Sequence, residues 1–230
     1  MGPTTIPKII LYRKDGACSL VPHALLTHLR IPFTAIPMQS GPDGLEAADG
    51  SLPHAEFRRI NPTGYVPTLT VDGAVVTEMP AILTYIASLV PERNLLGSES
   101  AERALNRVRV TEWLAWLSGT LHNAFAAIWR PYRFTDDAGA HESVARRGRE
   151  VIDAGFARIE ARLRGREWAV GEAGATVVDF HLYVFWRWGV RAGIEMRELY
   201  PSFGRLVRRV EGLEGVKEAV AVEGLEPCFG

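Results

Sequence analysis

The spacing of apolar positions changes partway along this chain. In the first ninety residues, short apolar runs typical of strands alternate with segments whose apolar residues recur at helical spacing. Asp72-Gly73 separates two such runs and indicates a hairpin, so the predicted sheet is mixed and four-stranded. The pattern predicts strands over 9–12, 33–38, 68–71 and 74–77, helices over 20–29, 55–60 and 80–90, and a loop over 40–53.

After residue 100, every periodic segment is helical. Thr176 and Asp179 have the spacing of a capping box, and the segment they begin is apolar on nearly all sides, which is typical of a central, buried helix. The pattern predicts helices over 102–125, 140–164, 176–190, 202–210 and 216–222. We therefore predict an α/β domain over residues 1–90, a linker over 91–100 and an all-α domain over 101–230.

Composition places this chain among ordinary globular proteins. It has 230 residues, a net charge of −1 and 47% hydrophobic residues, so nothing points to nucleic acid or to an anionic membrane. Two cysteines, Cys18 and Cys228, are too few for a disulfide framework and favour a reducing compartment. The first residues lack the pattern of a signal peptide, and no apolar run is long enough to cross a bilayer. We expect a cytoplasmic protein without a metal site.

The strongest chemical signal is Cys18, which lies between the first predicted strand and the helix over 20–29. Backbone N–H groups at a helix N-terminus favour an anion, and a thiol placed there loses its proton more easily than a free one. Either this sulfur reacts, or its surroundings hold the thiolate of another molecule. A small buried apolar side chain is the plainer alternative, since most free cysteines are of that kind.

Five motifs follow one another along the chain. They are Gly16–His23, Asn61–Leu69, Thr77–Ile82, Glu112–Leu114 together with Leu121-His122, and Thr176–Asp179. In this order and at this spacing they resemble glutathione transferases. The resemblance is strongest to the bacterial beta class, in which a cysteine occupies the first-turn position. It implies a thioredoxin-like N-terminal domain followed by an all-helical domain that contributes the acceptor pocket and the dimer contacts.

The resemblance also implies roles for particular residues. The catalytic candidates are Cys18, Ser19 and His122. The candidates for binding glutathione are Val66 and Pro67, joined by a cis peptide bond, with Glu78, Met79 and His54. The acceptor pocket would be lined by Trp116, Phe125, Trp129 and Tyr132. Plainer explanations exist, because a carboxylate at a helix start complements the dipole and aromatic residues at helical spacing usually pack a core.

The implied activity is that of a glutathione-dependent transferase. Glutathione would be a co-substrate rather than a cofactor, and its activated thiol would attack an apolar electrophile or a disulfide, as in detoxification. A cysteine at the turn also makes a mixed disulfide at Cys18 accessible. Family members are usually homodimers, and no nucleic-acid or membrane partner is expected. The alternative is a non-catalytic binding or regulatory module, which Met79, Ala115 and Asn123 keep open because they depart from the family pattern.

Overall fold

The computed structural model describes residues 7–97, 104–171 and 174–229. Their contacts divide the chain into two units, Met1–Arg93 with Val210–Gly230, and Asn94–Arg209. The sequence pattern places residues 210–230 in the helical domain, whereas the structure places them with the first unit. The reason is a helix near the end of the chain, α10 (Glu214–Val222), which packs along α1 (Leu20–His28).

The first unit is built on a mixed five-stranded sheet. Its strands are β1 (Ile9–Arg13), β2 (Thr34–Ser40), β3 (Leu45–Ala47), β4 (Thr68–Val71) and β5 (Ala74–Val76), in the order β3-β2-β1-β4-β5. β1 and β2 are parallel, and the other neighbours are antiparallel. The predicted mixed sheet and its hairpin are confirmed. The predicted count of four strands is wrong, because β3 forms within the segment that we expected to be a loop.

Two further helices complete the predicted elements of this unit, α2 (His54–Ile60) and α3 (Met79–Ser88), while α1 lies between β1 and β2 in the chain. One core cluster joins Tyr12, Met38, Ala47 and Phe57 on the side of the sheet that α2 covers. The close approach of α10 to α1 depends on Gly215. A Cβ atom on Gly215 would lie 2.2 Å from both the backbone N and the Cα of His28.

The second unit is helical in the residues that the structure describes. Its helices are α4 (Ala104–Trp116), α5 (His122–Trp129), α6 (His141–Leu163), α7 (Val177–Arg191), α8 (Met196–Leu199) and α9 (Pro201–Glu211), which leaves this unit after Arg209. A π-helical turn, Leu117–Leu121, joins α4 to α5 where the pattern predicts one uninterrupted helix. The predicted start at residue 102 and the linker residues 98–100 lie outside the described residues. No helix in the described ranges is both long and apolar enough to span a bilayer.

Helix α7 is the buried centre of the second unit, as its apolar sequence predicts. Its first turn is held by the predicted capping box: Asp179 Oδ2 accepts hydrogen bonds from Thr176 N at 2.7 Å and from Thr176 Oγ1 at 3.0 Å. Asp179 Oδ1 also accepts from Ala169 N at 2.8 Å. Burial raises the pKa of Asp179 to about 6, against the effect of these bonds, so the group is still a carboxylate at neutral pH.

Candidate functional site

Cys18 lies in the turn that ends β1 and leads into α1, as the sequence predicts. Its side chain is buried, and its thiol donates a hydrogen bond to the backbone oxygen of Val66 at 3.4 Å. The turn itself is closed by bonds from Leu20 N to Ala17 O and from Val21 N to Cys18 O. These two amides at the start of α1 are therefore engaged within the turn, and the sulfur faces a backbone carbonyl of a different loop.

Ser19 closes the same turn rather than capping the helix. Its hydroxyl accepts a hydrogen bond from Lys14 N at 2.9 Å and donates one to Lys14 O at 3.1 Å, and the residue is fully buried. No side-chain cap bond is formed at the start of α1. The hydroxyl proton is thus already committed, so Ser19 shapes the turn around Cys18 in this structure.

The loop that faces Cys18 is held by a single asparagine. The Val66–Pro67 peptide bond is cis, as the resemblance implies. Asn61, which is buried, donates from Nδ2 to Tyr65 O and to Thr68 Oγ1, both at 2.9 Å. Its Oδ1 accepts from Thr63 N at 3.1 Å and from Thr63 Oγ1 at 2.9 Å. One side chain therefore fixes both ends of the loop that carries Val66 and Pro67.

Glu78 has an exposed side chain and an unusual backbone. It immediately precedes α3 with φ = +66°, a region that L-residues seldom adopt, and its side chain makes no cap bond. Such backbone strain persists where the surrounding structure enforces it, and it clusters at ligand-binding positions. Met79, the next residue, is buried, so only its backbone is suited to contact a ligand.

His54 is the first residue of α2 and is half-buried. Its Nδ1–H donates to Leu45 O at 2.9 Å, so the neutral ring carries its acceptor lone pair at Nε2. The ring lies so close to two glycines that a Cβ on Gly44 or Gly64 would be 2.3 Å or 3.0 Å from its Cε1. The orientation of His54 is therefore set by β3, the strand that the sequence did not predict.

A carboxylate from the far end of the chain supports the cysteine turn. Glu223, directly after α10, is buried, and its Oε2 accepts a hydrogen bond from Gly16 N at 2.8 Å. Its Oε1 lies 2.8 Å from Nδ1 of His23 on α1 and 3.8 Å from Nη1 of Arg13 on β1. Arg13 also pairs with Asp15 in the same turn. The segments before and after Cys18 are thus both held by one buried carboxylate.

In the second unit, His122 follows the π-helical turn and packs edge-on against Trp188 at 5.1 Å between ring centroids. Burial, together with a smaller effect of the positive charges of Arg130 and Arg133, lowers the pKa of His122 to about 4. The imidazole is therefore neutral at pH 7. It can donate or accept a hydrogen bond there, but it offers no positive charge to a thiolate.

The four aromatic residues expected to line an acceptor pocket have different environments. Phe125 is fully buried among the rings of Trp129, Phe156, Phe185 and Trp188, so its ring is part of the core of this unit. Aromatic spacing along a helix does not distinguish a core face from a pocket face.

The other three aromatic residues remain at least partly accessible. Trp116 lies 4.5 Å beneath the guanidinium of Arg158, and Trp129 lies 5.2 Å beneath that of Arg191. Tyr132 is 62% exposed. Guanidinium groups stacked on two of these rings orient them, and they also make these surfaces more polar than a purely apolar lining.

Comparisons with known proteins agree with this geometry. Residues 16–89 match the family described as glutathione S-transferase, N-terminal domain, and residues 121–214 match glutathione S-transferase, C-terminal domain. A sphingomonad glutathione S-transferase, solved in complex with glutathione, is 32% identical with a TM-score of 0.78, over 94% of this chain and 100% of that one. This chain belongs to the glutathione transferase family.

Two further relatives of this glutathione transferase cover nearly its whole length. The glutathione S-transferase GST-4.5 of Xanthomonas campestris is 28% identical over 94% of this chain and 98% of its own. A bacterial beta class glutathione S-transferase of Sphingomonas chungbukensis is 28% identical, with a TM-score of 0.79 over 94% of this chain and 100% of that one.

Sequence reasoning missed the role of Glu223 in this glutathione transferase. Two hundred and seven positions separate it from Gly16, so no local pattern connects them. One signal was available: a glutamate that follows the apolar turns of a short final helix is a candidate for burial with a cation. The predicted motifs Gly16–His23 and Asn61–Leu69 are brought together by the bond between Cys18 and Val66.

Proposed function

We propose that this protein binds glutathione at the turn that carries Cys18 and activates its thiol for attack on an electrophile or a disulfide. The observation that carries the proposal is the 3.4 Å contact between Cys18 Sγ and Val66 O. Membership of the glutathione transferase family supports it, and so does the bound glutathione of the sphingomonad relative.

Each end of glutathione has a candidate partner in the first unit. The backbone of Val66 offers main-chain hydrogen bonds to an extended peptide. The exposed carboxylate of Glu78 is suited to the γ-glutamyl ammonium, and backbone N–H groups at the start of α3, beside Met79, are suited to its carboxylate. His54 is the nearest candidate for the glycyl carboxylate, and Nε2 is the ring atom left for that contact because Nδ1 donates to Leu45 O.

The sulfur of Cys18 gives this site a second reaction. When Cys18 is a thiolate it attacks one sulfur of oxidised glutathione, forms a Cys18–glutathione disulfide, and releases the other half as glutathione thiolate. A second glutathione thiolate then attacks the mixed disulfide, frees Cys18 and regenerates oxidised glutathione. The same exchange reduces a foreign mixed disulfide of glutathione when Cys18 attacks its glutathione sulfur and releases the foreign thiolate. No redox agent beyond glutathione is needed for this exchange.

His122 is our candidate from the second unit. Because it is neutral at pH 7, its contribution would be a hydrogen bond rather than a charge. Replacement by Gln, which keeps a donor, would then preserve more activity than replacement by Phe, which keeps only the shape of the ring.

The decisive experiment compares the wild type with Cys18→Ala and, as the matched control, Cys228→Ala. Each protein is incubated with oxidised glutathione and analysed by intact mass, and each is assayed with an aryl halide and with a small mixed disulfide. We expect a glutathione adduct on the wild type and on Cys228→Ala, no adduct on Cys18→Ala, and loss of disulfide turnover in Cys18→Ala alone. An adduct confined to Cys228 would refute the assignment. Retention on immobilised glutathione without turnover of either substrate would favour a binding module.

We also propose a cytoplasmic homodimer with a role in detoxification. Leu105 and Val108 on α4 are 68% and 59% exposed, which is unusual for two large apolar side chains one helical turn apart. A second copy of the chain is the occupant that the family resemblance implies for this face. Leu105→Glu together with Val108→Glu would then shift the mass measured by light scattering from two chains to one, whereas Thr111→Glu on the same helix would not.

A further inference from the structure

The second unit contains a cavity of about 450 Å³ between the start of α4 and the end of α6. Its polar lining is unusually uniform, because it consists of four guanidinium groups and one carboxamide. These belong to Arg109, Arg162, Arg164, Arg166 and Asn106. Among the residues that the structure describes, no carboxylate lines the cavity, so every charged group facing it is positive.

Two of the arginines are held in place by one shared carboxylate. Glu112 accepts hydrogen bonds from Arg109 Nη1 at 2.7 Å and from Arg162 Nη1 at 3.3 Å, and Arg158 Nη2 lies 3.8 Å away. The guanidinium of Arg162 also lies 4.2 Å above the ring of Trp113. One negative charge thus faces three positive charges, which leaves this part of the wall positive and pre-positioned.

The other two arginines are free to bind. Arg164 and Arg166 follow the last residue of α6 and are exposed, and neither side chain makes a hydrogen bond or an ion pair with the described residues. With respect to the part of the chain that the structure describes, each guanidinium therefore retains its full set of donors. A planar fork of this kind matches the oxygens of a phosphate or a carboxylate in a bidentate arrangement.

We propose that this cavity binds a small organic anion that carries two or more phosphate or carboxylate groups. Its volume lies in the range of small-molecule pockets, and Val170 provides apolar wall for the rest of such a ligand. A simpler view is that arginines near the end of α6 only complement the helix dipole. That view accounts for Arg162 and Arg164, but it does not explain why Arg109 of another helix converges on the same space.

The site differs from the proposed glutathione site in the residues that form it. All of its lining residues belong to the second unit, whereas Cys18, Val66 and Glu78 belong to the first. Loss of the anion site should therefore leave the Cys18 adduct with oxidised glutathione unchanged. The two proposals can fail independently.

The test is calorimetric titration of the full chain at constant ionic strength with pyrophosphate, citrate and sulfate. We expect saturable binding of pyrophosphate or citrate, and at least about tenfold weaker binding in Arg164→Glu/Arg166→Glu, because two charge-assisted contacts are lost. Arg146→Glu is the matched control, since Arg146 on α6 is another exposed arginine whose side chain has no described partner, and it does not line the cavity. It should bind like the wild type.

The titrations also distinguish the two kinds of ligand. Preference for pyrophosphate over citrate assigns a phosphate ligand, and the reverse preference assigns a carboxylate ligand. The proposal is overturned if neither anion binds at millimolar concentration, if sulfate binds as well as both, or if the double variant and Arg146→Glu lose affinity equally. A cooperative thermal unfolding transition in each variant confirms that it is folded.

Discussion

The carboxylate of Glu223 accepts a hydrogen bond from the backbone N–H of Gly16, two residues before Cys18. The same carboxylate contacts His23 and lies near Arg13, all of them buried. The end of the chain therefore takes part in shaping the turn in which the proposed chemistry occurs.

The first prediction concerns this carboxylate. Glu223→Gln removes a buried negative charge beside Arg13 and leaves donors less well paired, so we expect the free energy of unfolding to fall by about 1–3 kcal/mol. Glutathione affinity should fall as well, because the turn loosens. Urea unfolding and glutathione titration measure both. Glu218→Gln on α10, which breaks only an exposed pair with Arg30, should leave both nearly unchanged. Equal effects of the two substitutions would contradict the role of Glu223.

The second prediction concerns the contact between α10 and α1. Gly215→Ala would place a methyl group 2.2 Å from the backbone of His28, where no flexible side chain can move aside. We expect a loss of about 1–3 kcal/mol, as in overpacked cores, together with weaker glutathione binding. Gly119→Ala is the control, since a Cβ there meets nothing within 4 Å, and alanine should stabilise that helical position slightly. The midpoints of thermal unfolding of the two variants, compared with that of the wild type, test this difference.

The third prediction concerns the cap of α7. Asp179→Asn replaces one carboxylate oxygen by a donor, although Thr176 N, Thr176 Oγ1 and Ala169 N all donate to this group. Because the site is fully buried, we expect the loss to exceed the roughly 0.5–2 kcal/mol of an ordinary helix cap. Asp137→Asn offers a comparison, because Asp137 accepts from Gly139 N in an exposed turn. If the two substitutions cost the same, burial of Asp179 has no energetic role.

The fourth prediction concerns His181, a buried histidine that we expect to lower the stability of the protein. His181 on α7 is 1% exposed, and neither of its ring nitrogens has a hydrogen-bond partner among the described residues. Leucine has a similar volume and no polar atoms to desolvate. We expect His181→Leu to stabilise the protein by about 1 kcal/mol, which corresponds to roughly 2–4 °C in the unfolding midpoint of a chain of this size. A lower midpoint would show that the imidazole makes a favourable interaction.

The fifth prediction is the pH dependence of stability. Burial lowers the pKa of His122 to about 4, and that of His181 to about 3 with a smaller effect of His122. Between pH 6.5 and 4 the unfolded chain therefore binds protons at these sites that the folded chain does not, and stability falls as the pH falls. Asp179, with its pKa raised to about 6, acts in the opposite direction, but it is one group against two.

Urea unfolding at pH 7.5, 6 and 5 tests this balance. We expect the free energy of unfolding to decrease across the series, and the decrease to be smaller in His181→Leu, which lacks one of the two histidines. A wild-type stability that rises toward pH 5 would mean that Asp179 outweighs both.

Much of the first unit follows from local sequence. Apolar runs and Asp72-Gly73 predicted four of its strands, and the position of Cys18 between a strand and a helix was correct. β3 was missed because its three residues, Leu45–Ala47, are too few to show alternation and are flanked by turn residues. Its pairing with β2 depends on tertiary contacts rather than on local preference.

The site was less predictable than the fold. The burial of Phe125 could not be predicted, because helical spacing does not separate a core face from an open one. The π-helical turn before His122 could not be predicted either, because the apolar residues keep their helical spacing through it. The bond between Glu223 and Gly16 joins the two ends of the chain, and only the packing of α10 brings them together.

The position of α10 also bears on synthesis by the ribosome. Gly16 is translated 207 residues before Glu223. The carboxylate that completes the hydrogen bonds of the cysteine turn is therefore absent while most of the chain is being made. Early-emerging segments generally fold first, but this one cannot reach its final form until the last helix has left the exit tunnel. The hydrogen bonds around the cysteine turn are therefore completed late, once α10 has packed on α1.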